Sequence, residues 1–242
     1  MRVTASYSLN DQYLPLDYRS GFAALLKESL KDVNEYLFMR YYAKPHVLKP
    51  FTFSVYFPEL AGGEGDRLNV GTKAVLHFST SSHELGASIY NGLRQRDSFP
   101  LFENRLQLSH IHLQPLIAIR QESAIFKSMA PILVNNKGNA DWYLLPGDDG
   151  FEEGLSFAVN EIIRSFLGGV DARVKFNPIR IHRKVVRHYN MNMQGFTGIF
   201  ELRGRSDVLN LIYQVGLGVR RSQGFGMLEL VKQGSISEPI AG

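Results

Sequence analysis

Most of the acid–base capacity of this chain near neutral pH lies in seven histidines: His46, His77, His83, His110, His112, His182 and His188. One of them stands among other groups that can move a proton or hold charge. The run Tyr42-Ala43-Lys44-Pro45-His46-Val47-Leu48-Lys49-Pro50 gathers a phenol, an imidazole and two ammonium groups, and its two prolines stiffen the segment. Such a set can supply a general acid or base together with a cation for a developing negative charge. His46 is the candidate acid or base, Lys49 the candidate cation, and Tyr42 a further candidate catalytic residue. The bland alternatives stay open: His46 as an exposed loop histidine, and Tyr42 and Lys44 as packing or surface residues.

Other constellations say less. His110 and His112 are two apart and share one strand face, but no carboxylate or third histidine lies close in sequence, so no metal site is assigned. Asp148, Asp149, Glu152 and Glu153 read as the acidic first turn of a helix, where carboxylates are favoured. With no cysteine in 242 residues, thiol nucleophiles, disulfides, iron–sulfur clusters and Cys-based zinc sites are excluded. No cofactor motif is present, and no cofactor is expected.

The net charge of +4 is concentrated. From Arg173 to His188 the chain carries Arg173, Lys175, Arg180, Arg183, Lys184 and Arg187 with no acidic residue, and the remainder holds 21 basic against 23 acidic residues. A local positive strip suits an anionic partner. Alternation predicts a strand with Arg180, His182 and Lys184 on one side and Ile179, Ile181 and Val185 toward a core.

Near the C-terminus, Gly216-Leu217-Gly218-Val219-Arg220-Arg221-Ser222-Gln223-Gly224-Phe225-Gly226 places two Gly-apolar-Gly triplets around five residues that include two arginines. Gly216, Gly218, Gly224 and Gly226 would let the backbone approach a phosphate and face it with N–H groups, Arg220 and Arg221 would add charge, and Leu217 and Phe225 would anchor the loop. Equally, the segment reads as a glycine-rich turn from helix to strand. It is neither a dinucleotide fingerprint, because position 221 is arginine, nor a P-loop.

The elements that must position these groups follow from periodicity. Strands are expected at Val3–Leu9, Phe51–Phe57, Lys73–Ser79 and Leu106–Ile119, with helices over 18–38 and around Leu85–Leu93. The second half repeats the order, with a strand at Ala130–Val134, a helix through Leu155–Phe166, a hairpin of 172–188 with Gly195–Arg203, a helix capped by Ser206, and a last strand at Phe225–Val231. Both halves read βαββαβ. The fold class is therefore α+β, with two tandem ferredoxin-like (RRM-like) domains over 1–122 and 123–242 and a C-terminal glycine-rich loop. The segment 234–242 reads as a loose tail.

The glycine-rich pattern resembles the signature of the CRISPR-associated repeat-processing endoribonucleases of the repeat-associated mysterious protein (RAMP) superfamily, and the two-domain organisation agrees. The resemblance implies metal-independent cleavage of CRISPR repeat RNA (pre-crRNA) to make guide RNAs. In that reaction the ribose 2′-OH attacks the adjacent phosphate and leaves 2′,3′-cyclic phosphate and 5′-OH ends. It also implies that the histidine just after the first helix, His46, and the lysine ahead of the next strand, Lys49, serve catalysis. The second-domain hairpin (Arg173, Lys175, Arg180, His182, Arg183, Lys184, Arg187) and the glycine loop would grip RNA. The sequence departs from the pattern on the first helix, where Gly21–Lys27 offers no tyrosine and only Lys27 as a substitute. Two alternatives share the loop: a non-catalytic CRISPR RNA-binding relative, and a structural RAMP subunit of an effector complex with protein partners. A homodimer is compatible with either. The chain has neither a long apolar run nor an apolar leader, so a cytoplasmic location away from membranes is expected.

Overall fold

The structure is a computed structural model. It describes residues 1–169, 172–189 and 191–235, with Asn139, Ala140 and Asp141 described by backbone alone. Most of the expected loose tail, 236–242, lies outside the described residues.

The chain divides into two compact units. The first comprises Met1–Pro115 with Val186–Asn192 and Ser222–Gly224; the second holds Leu116–Val185, Met193–Arg221 and Phe225–Gly242.

The first unit contains β1 (Arg2–Leu9), β2 (Tyr13–Pro15), α1 (Tyr18–Val33), α2 (Glu35–Tyr42), β3 (Phe51–Tyr56), β4 (Gly62–Glu64), β5 (Arg67–Asn69), β6 (Lys73–Thr80), α3 (His83–Arg94), β7 (Ser98–Leu101) and β8 (Asn104–Gln114). Its main sheet runs β3-β6-β1-β8-β7, and every neighbouring pair is antiparallel. Without the edge strand β7 this is the strand order of a ferredoxin-like βαββαβ fold. The expected β3–β6 hairpin is present, and its glycine-rich connection forms a small second sheet with β2. One sheet face carries Val3, Ala5, Phe53, Leu76 and Phe78 into the core with Phe22, Leu26 and Leu30 of α1 and Leu85, Ile89 and Leu93 of α3. The two helices approach closely because Gly92 has no side chain: a Cβ there would lie 2.1 Å from the Ser29 carbonyl oxygen. The expected single helix over 18–38 is two helices. Asn34 ends α1 with its N–H on the Leu30 carbonyl and starts α2 by accepting the Leu37 N–H at 3.0 Å.

The second unit contains β9 (Ser123–Ser128), β10 (Val134–Asn136), β11 (Asn139–Leu144), α4 (Phe151–Phe166), β12 (Lys175–His188), β13 (Met191–Arg203), α5 (Ser206–Val215) and β14 (Leu228–Gln233). The order β12-β13-β9-β14 repeats the arrangement of the first unit. Phe126, Phe196, Phe200 and Leu228 from the sheet pack with Leu155, Val159 and Ile163 of α4 and Leu209 and Ile212 of α5. The fold is thus two tandem ferredoxin-like units in an α+β chain.

Four local expectations are corrected. The first strand of this unit is β9; within Ala130–Leu133, Ile132 makes an isolated bridge to Phe196 of β13, while the Pro131 and Leu133 carbonyls accept the N–H groups of Gly226 and Val219 in the glycine loop. The last strand starts at Leu228, because Phe225–Met227 are still engaged in that loop. Helix α5 is preceded by Arg205 at its cap position, with no side-chain cap, so Ser206 is already helical. Finally, β8 stops at Gln114, ahead of Pro115.

Candidate catalytic cluster and RNA interface

In the first unit, the break at Asn34 turns α2 so that Leu37 and Tyr41 are buried, while Phe38 and Tyr42, also four apart, stack on each other with ring centroids 5.5 Å apart. Lysines of α1 run beside these rings. The Lys27 ammonium is 5.8 Å from the Tyr42 ring centre and 5.9 Å from that of Phe38, and the Lys31 ammonium lies 5.9 Å from the Phe38 ring. From the other end of the loop, Lys49 stands 4.7 Å over Tyr42. The following residue fixes Lys49, since the Pro50 carbonyl accepts both the Thr80 hydroxyl, at 2.7 Å, and the Ser81 N–H. Tyr42, Lys49 and Lys27 therefore converge, with Lys27 arriving from the helix where the sequence offered no tyrosine.

The electrostatics of this cluster are specific. Burial lowers the Lys49 pKa and the Lys27 charge lowers it further, so Lys49 gives up its proton more readily than a surface lysine. Burial, followed by the proximity of Tyr189, raises the Tyr42 phenol above its ordinary pKa. It keeps its proton at neutral pH and can donate a hydrogen bond, but not act as a base. His46 stands in the connecting turn, exposed, with φ +59°. A left-handed conformation costs a non-glycine residue roughly 1–2 kcal/mol, and such strain persists where its surroundings impose it.

The histidine that ends the basic segment, His188, is placed in the interior of the first unit. The His188 side chain is fully buried, its Nδ1 is 2.6 Å from Asp17 Oδ1, and its Nε2 is 3.2 Å from Oε1 of the Gln223 amide. Burial lowers its pKa against the opposing pull of Asp17. Nothing in the sequence ties residue 188 to residue 17. On the polar sheet face of this unit, His77 shares a hydrogen bond with the Thr4 hydroxyl at 3.2 Å, and β1 sets Thr4 opposite both His77 and His112. Burial first, then Arg2 and His112, hold the His77 pKa down to about 4. The rings of His110 and His112 lie 5.4 Å apart. Among the described residues, no group of three or more His, Asp or Glu is gathered to hold a metal ion.

In the second unit, β12 is long while β13 pairs with β9 only through Ile199–Arg203, so much of the β12–β13 ribbon runs past β9. Arg173, Lys175, Arg180, His182, Arg183, Lys184 and Arg187 are all exposed. Ile181 packs against the core as expected, but Ile179 and Val185 are 44% and 60% exposed. There the ribbon has no core beneath it, so alternation in sequence does not become burial. The two strands meet closely: a Cβ at Gly198 would lie 2.0 Å from the Arg180 carbonyl oxygen.

The glycine-rich loop is packed inward. Leu217 and Phe225 are fully buried, as expected of anchors, and Gly216, Gly218, Gly224 and Gly226 are buried too. Gly218 and Gly226 have φ of +82° and +71°, and a Cβ would lie 2.3 Å from the Leu133 carbonyl oxygen or 2.0 Å from that of Leu217. The N–H groups of Leu217, Val219 and Gly226 are taken by the carbonyls of Gly226, Leu133 and Pro131. Arg221 corrects its expectation as an RNA contact. It is 4% exposed, donates to the Val215 carbonyl at the end of α5 at 2.9 Å, and its guanidinium lies 6.0 Å from the Phe166 ring. Burial pulls its pKa down to about 9. Arg220 is half-buried and donates to the Tyr143 hydroxyl at 2.7 Å.

Residues 113–230, close to half of the chain, match the family described as CRISPR associated protein Cas6, C-terminal. No curated protein matches the sequence. Among solved structures, one described as a Cas6-related gene from Pyrococcus furiosus aligns with TM-score 0.85 at 18% identity, covering 97% of this chain and 99% of that one. Another, "An RAMP protein binding different RNA substrates", aligns with TM-score 0.83 at 17% identity over 96% of this chain and 100% of that one. A third, "CRISPR associated protein Cas6", gives 0.75 at 19% over 96% and 99%. At these identities the structures speak to the fold, and it is the same fold from end to end. Residues 113–230 thus match the Cas6 C-terminal family, and the chain shares the fold of these three structures.

Proposed function

We propose that the protein is a metal-independent endoribonuclease that cuts CRISPR repeat RNA. The observation that carries this reading is the convergence of Lys27 and Lys49 on the Tyr42 ring, beside the strained His46 turn. Cleavage by the neighbouring 2′-OH needs a proton acceptor, a proton donor to the leaving 5′-oxygen, and positive charge beside the phosphorane. His46 is exposed to substrate and takes a proton-transfer role. Lys49 and Lys27 supply charge. Tyr42, held protonated by burial, donates to a phosphate oxygen. The exposed cations of the β12–β13 ribbon, with Arg220, bind the RNA backbone by releasing its counterions. Arg221 and the four loop glycines hold the scaffold in this reading. The bonds balance: a 2′-O–P bond forms as the P–O5′ bond breaks, giving 2′,3′-cyclic phosphate and 5′-OH ends.

The test is incubation of repeat RNA from the host genome with the protein in EDTA, followed by analysis of the product ends. Cyclic phosphate termini, and no cutting of RNA with a 2′-deoxy sugar at the scissile position, support the reading. A 3′-OH product or dependence on added Mg²⁺ overturns it. Tight binding without cleavage assigns the chain to RNA binding alone, the property named for the second of the three structures above.

A further inference from the structure

We propose that Tyr189 is a nucleotide-stacking residue, a fixed aromatic platform that holds one base of the RNA beside the Lys27–Tyr42–Lys49 cluster. This deepens the RNA-cleavage reading above and rests on it. The first observation is a mismatch between the residue and its backbone. Tyr189 opens the turn after β12 with φ +48°. Tight hairpin turns with φ > 0 favour Asn, Asp or Gly, and a bulky side chain there costs roughly 1–2 kcal/mol.

The second observation is how much of the fold is committed to holding this turn. Asp17 precedes α1 at the cap position, where an aspartate ordinarily accepts an N–H of the first helical turn. Here it makes no side-chain cap. One carboxylate oxygen faces His188 Nδ1 at 2.6 Å, and the other accepts the Tyr189 N–H at 3.1 Å. His188 is fully buried, bounded on its other nitrogen by Gln223, and its ring lies 4.3 Å from the Tyr189 ring. Two residues distant in sequence, Asp17 and Gln223, thus commit polar groups to this one turn through His188 and the Tyr189 N–H.

The third observation is that the ring so held is 53% exposed, and the turn packs within the same unit as the cluster. After burial, the electrostatic influence of Tyr189 raises the Tyr42 pKa further. Arg187, exposed two residues earlier, adds a cation along the approach. A rigid exposed ring beside cations is the arrangement on which unpaired bases stack while their phosphates are neutralised.

The experiment measures affinity for repeat RNA and for a series of the same RNA, each with a single abasic nucleotide, using wild type, Tyr189→Ala and Tyr189→Phe. Loss of one base–aromatic stack weakens binding by about 5- to 150-fold. The expected result is that loss in Tyr189→Ala, near-wild-type affinity in Tyr189→Phe, and disappearance of the alanine penalty with one abasic RNA of the series. Three results would overturn the proposal: unchanged affinity in Tyr189→Ala, a phenylalanine variant as weak as the alanine one, or the same penalty across every abasic RNA. Because affinity is the readout, a wild type that binds the RNA and leaves it uncut refutes cleavage while these variants still decide the stacking role. A wild type that does not bind repeat RNA overturns both.

Discussion

Replacing Gly226 by alanine separates two meanings of the glycine-rich loop. The native φ is +71°, a region that costs a residue with a Cβ roughly 1–2 kcal/mol. The added methyl would lie 2.0 Å from the Leu217 carbonyl oxygen, a main-chain atom with no side-chain freedom to yield. Relief requires the two strands of the loop to part, which weakens the 2.9 Å bond from the Leu217 N–H to the Gly226 carbonyl. A lost bond of this kind contributes about 0.5–1.5 kcal/mol, and overpacking adds about 1–3 kcal/mol. The sum is a destabilisation of about 2.5–6.5 kcal/mol, which for a chain of this size lowers Tm by about 5–26 °C. Gly65→Ala is the control: its φ is +61° but nothing lies within 4 Å of the added methyl, so only the backbone term of about 1–2 kcal/mol remains. Calorimetry on both variants should show Gly226→Ala melting well below Gly65→Ala. At a temperature where Gly226→Ala is folded, it should bind RNA as wild type does. A Gly226→Ala protein that melts with the control yet loses RNA affinity would refute the scaffold account and restore the loop as a phosphate cradle.

Three further outcomes follow from the same geometry. Removing the Lys27 charge as Lys27→Met raises the depressed Lys49 pKa, so if protonated Lys49 serves catalysis, the alkaline limb of the single-turnover pH profile moves to higher pH; an unmoved limb excludes that coupling. His77, with a folded pKa of about 4 against about 6.5 unfolded, penalises the fold as pH falls, beginning below about 6.5 and complete below about 4, by up to roughly 3 kcal/mol. Urea unfolding of wild type and His77→Gln at pH 7 and pH 4 should show the variant losing less stability, and equal losses would contradict this. On the exposed ribbon, Arg183→Ala and Lys184→Ala should each reduce the slope of log K against log salt by about 0.7 for single-stranded RNA, whereas an unchanged slope would place that residue off the phosphate path.

The architecture was legible because each unit writes its pattern locally. Alternation marks β1 and β3, and the spacing of Leu85, Ile89 and Leu93, or of Leu155, Val159 and Ile163, marks a buried helix face. The hydrophobic run Ile132–Val134 does not form one strand because its backbone bonds are divided: Ile132 bridges to Phe196 of β13, Leu133 accepts from Val219 of the glycine loop, and Val134 pairs with Leu144 of β11, and apolar composition alone does not say where carbonyls point. The Tyr42–Lys49 grouping could be read because one short loop contains it. The Asp17–His188–Gln223 array could not, since its members come from three distant segments. Arg221 illustrates a different limit: an arginine in a glycine-rich loop reads as a phosphate contact, while its fate here, buried beneath the end of α5, depends on tertiary packing.

The most direct test of the central claim is single-turnover cleavage of repeat RNA in EDTA by wild type, His46→Ala and Lys49→Ala, with RNA affinity measured in parallel. A general acid or base contributes about 10²–10⁴-fold. The account predicts that His46→Ala cuts at least about a hundredfold more slowly while binding RNA as tightly as wild type, and that Lys49→Ala is also slowed. Cleavage by His46→Ala at the wild-type rate would contradict it and remove the loop between α2 and β3 from the chemistry.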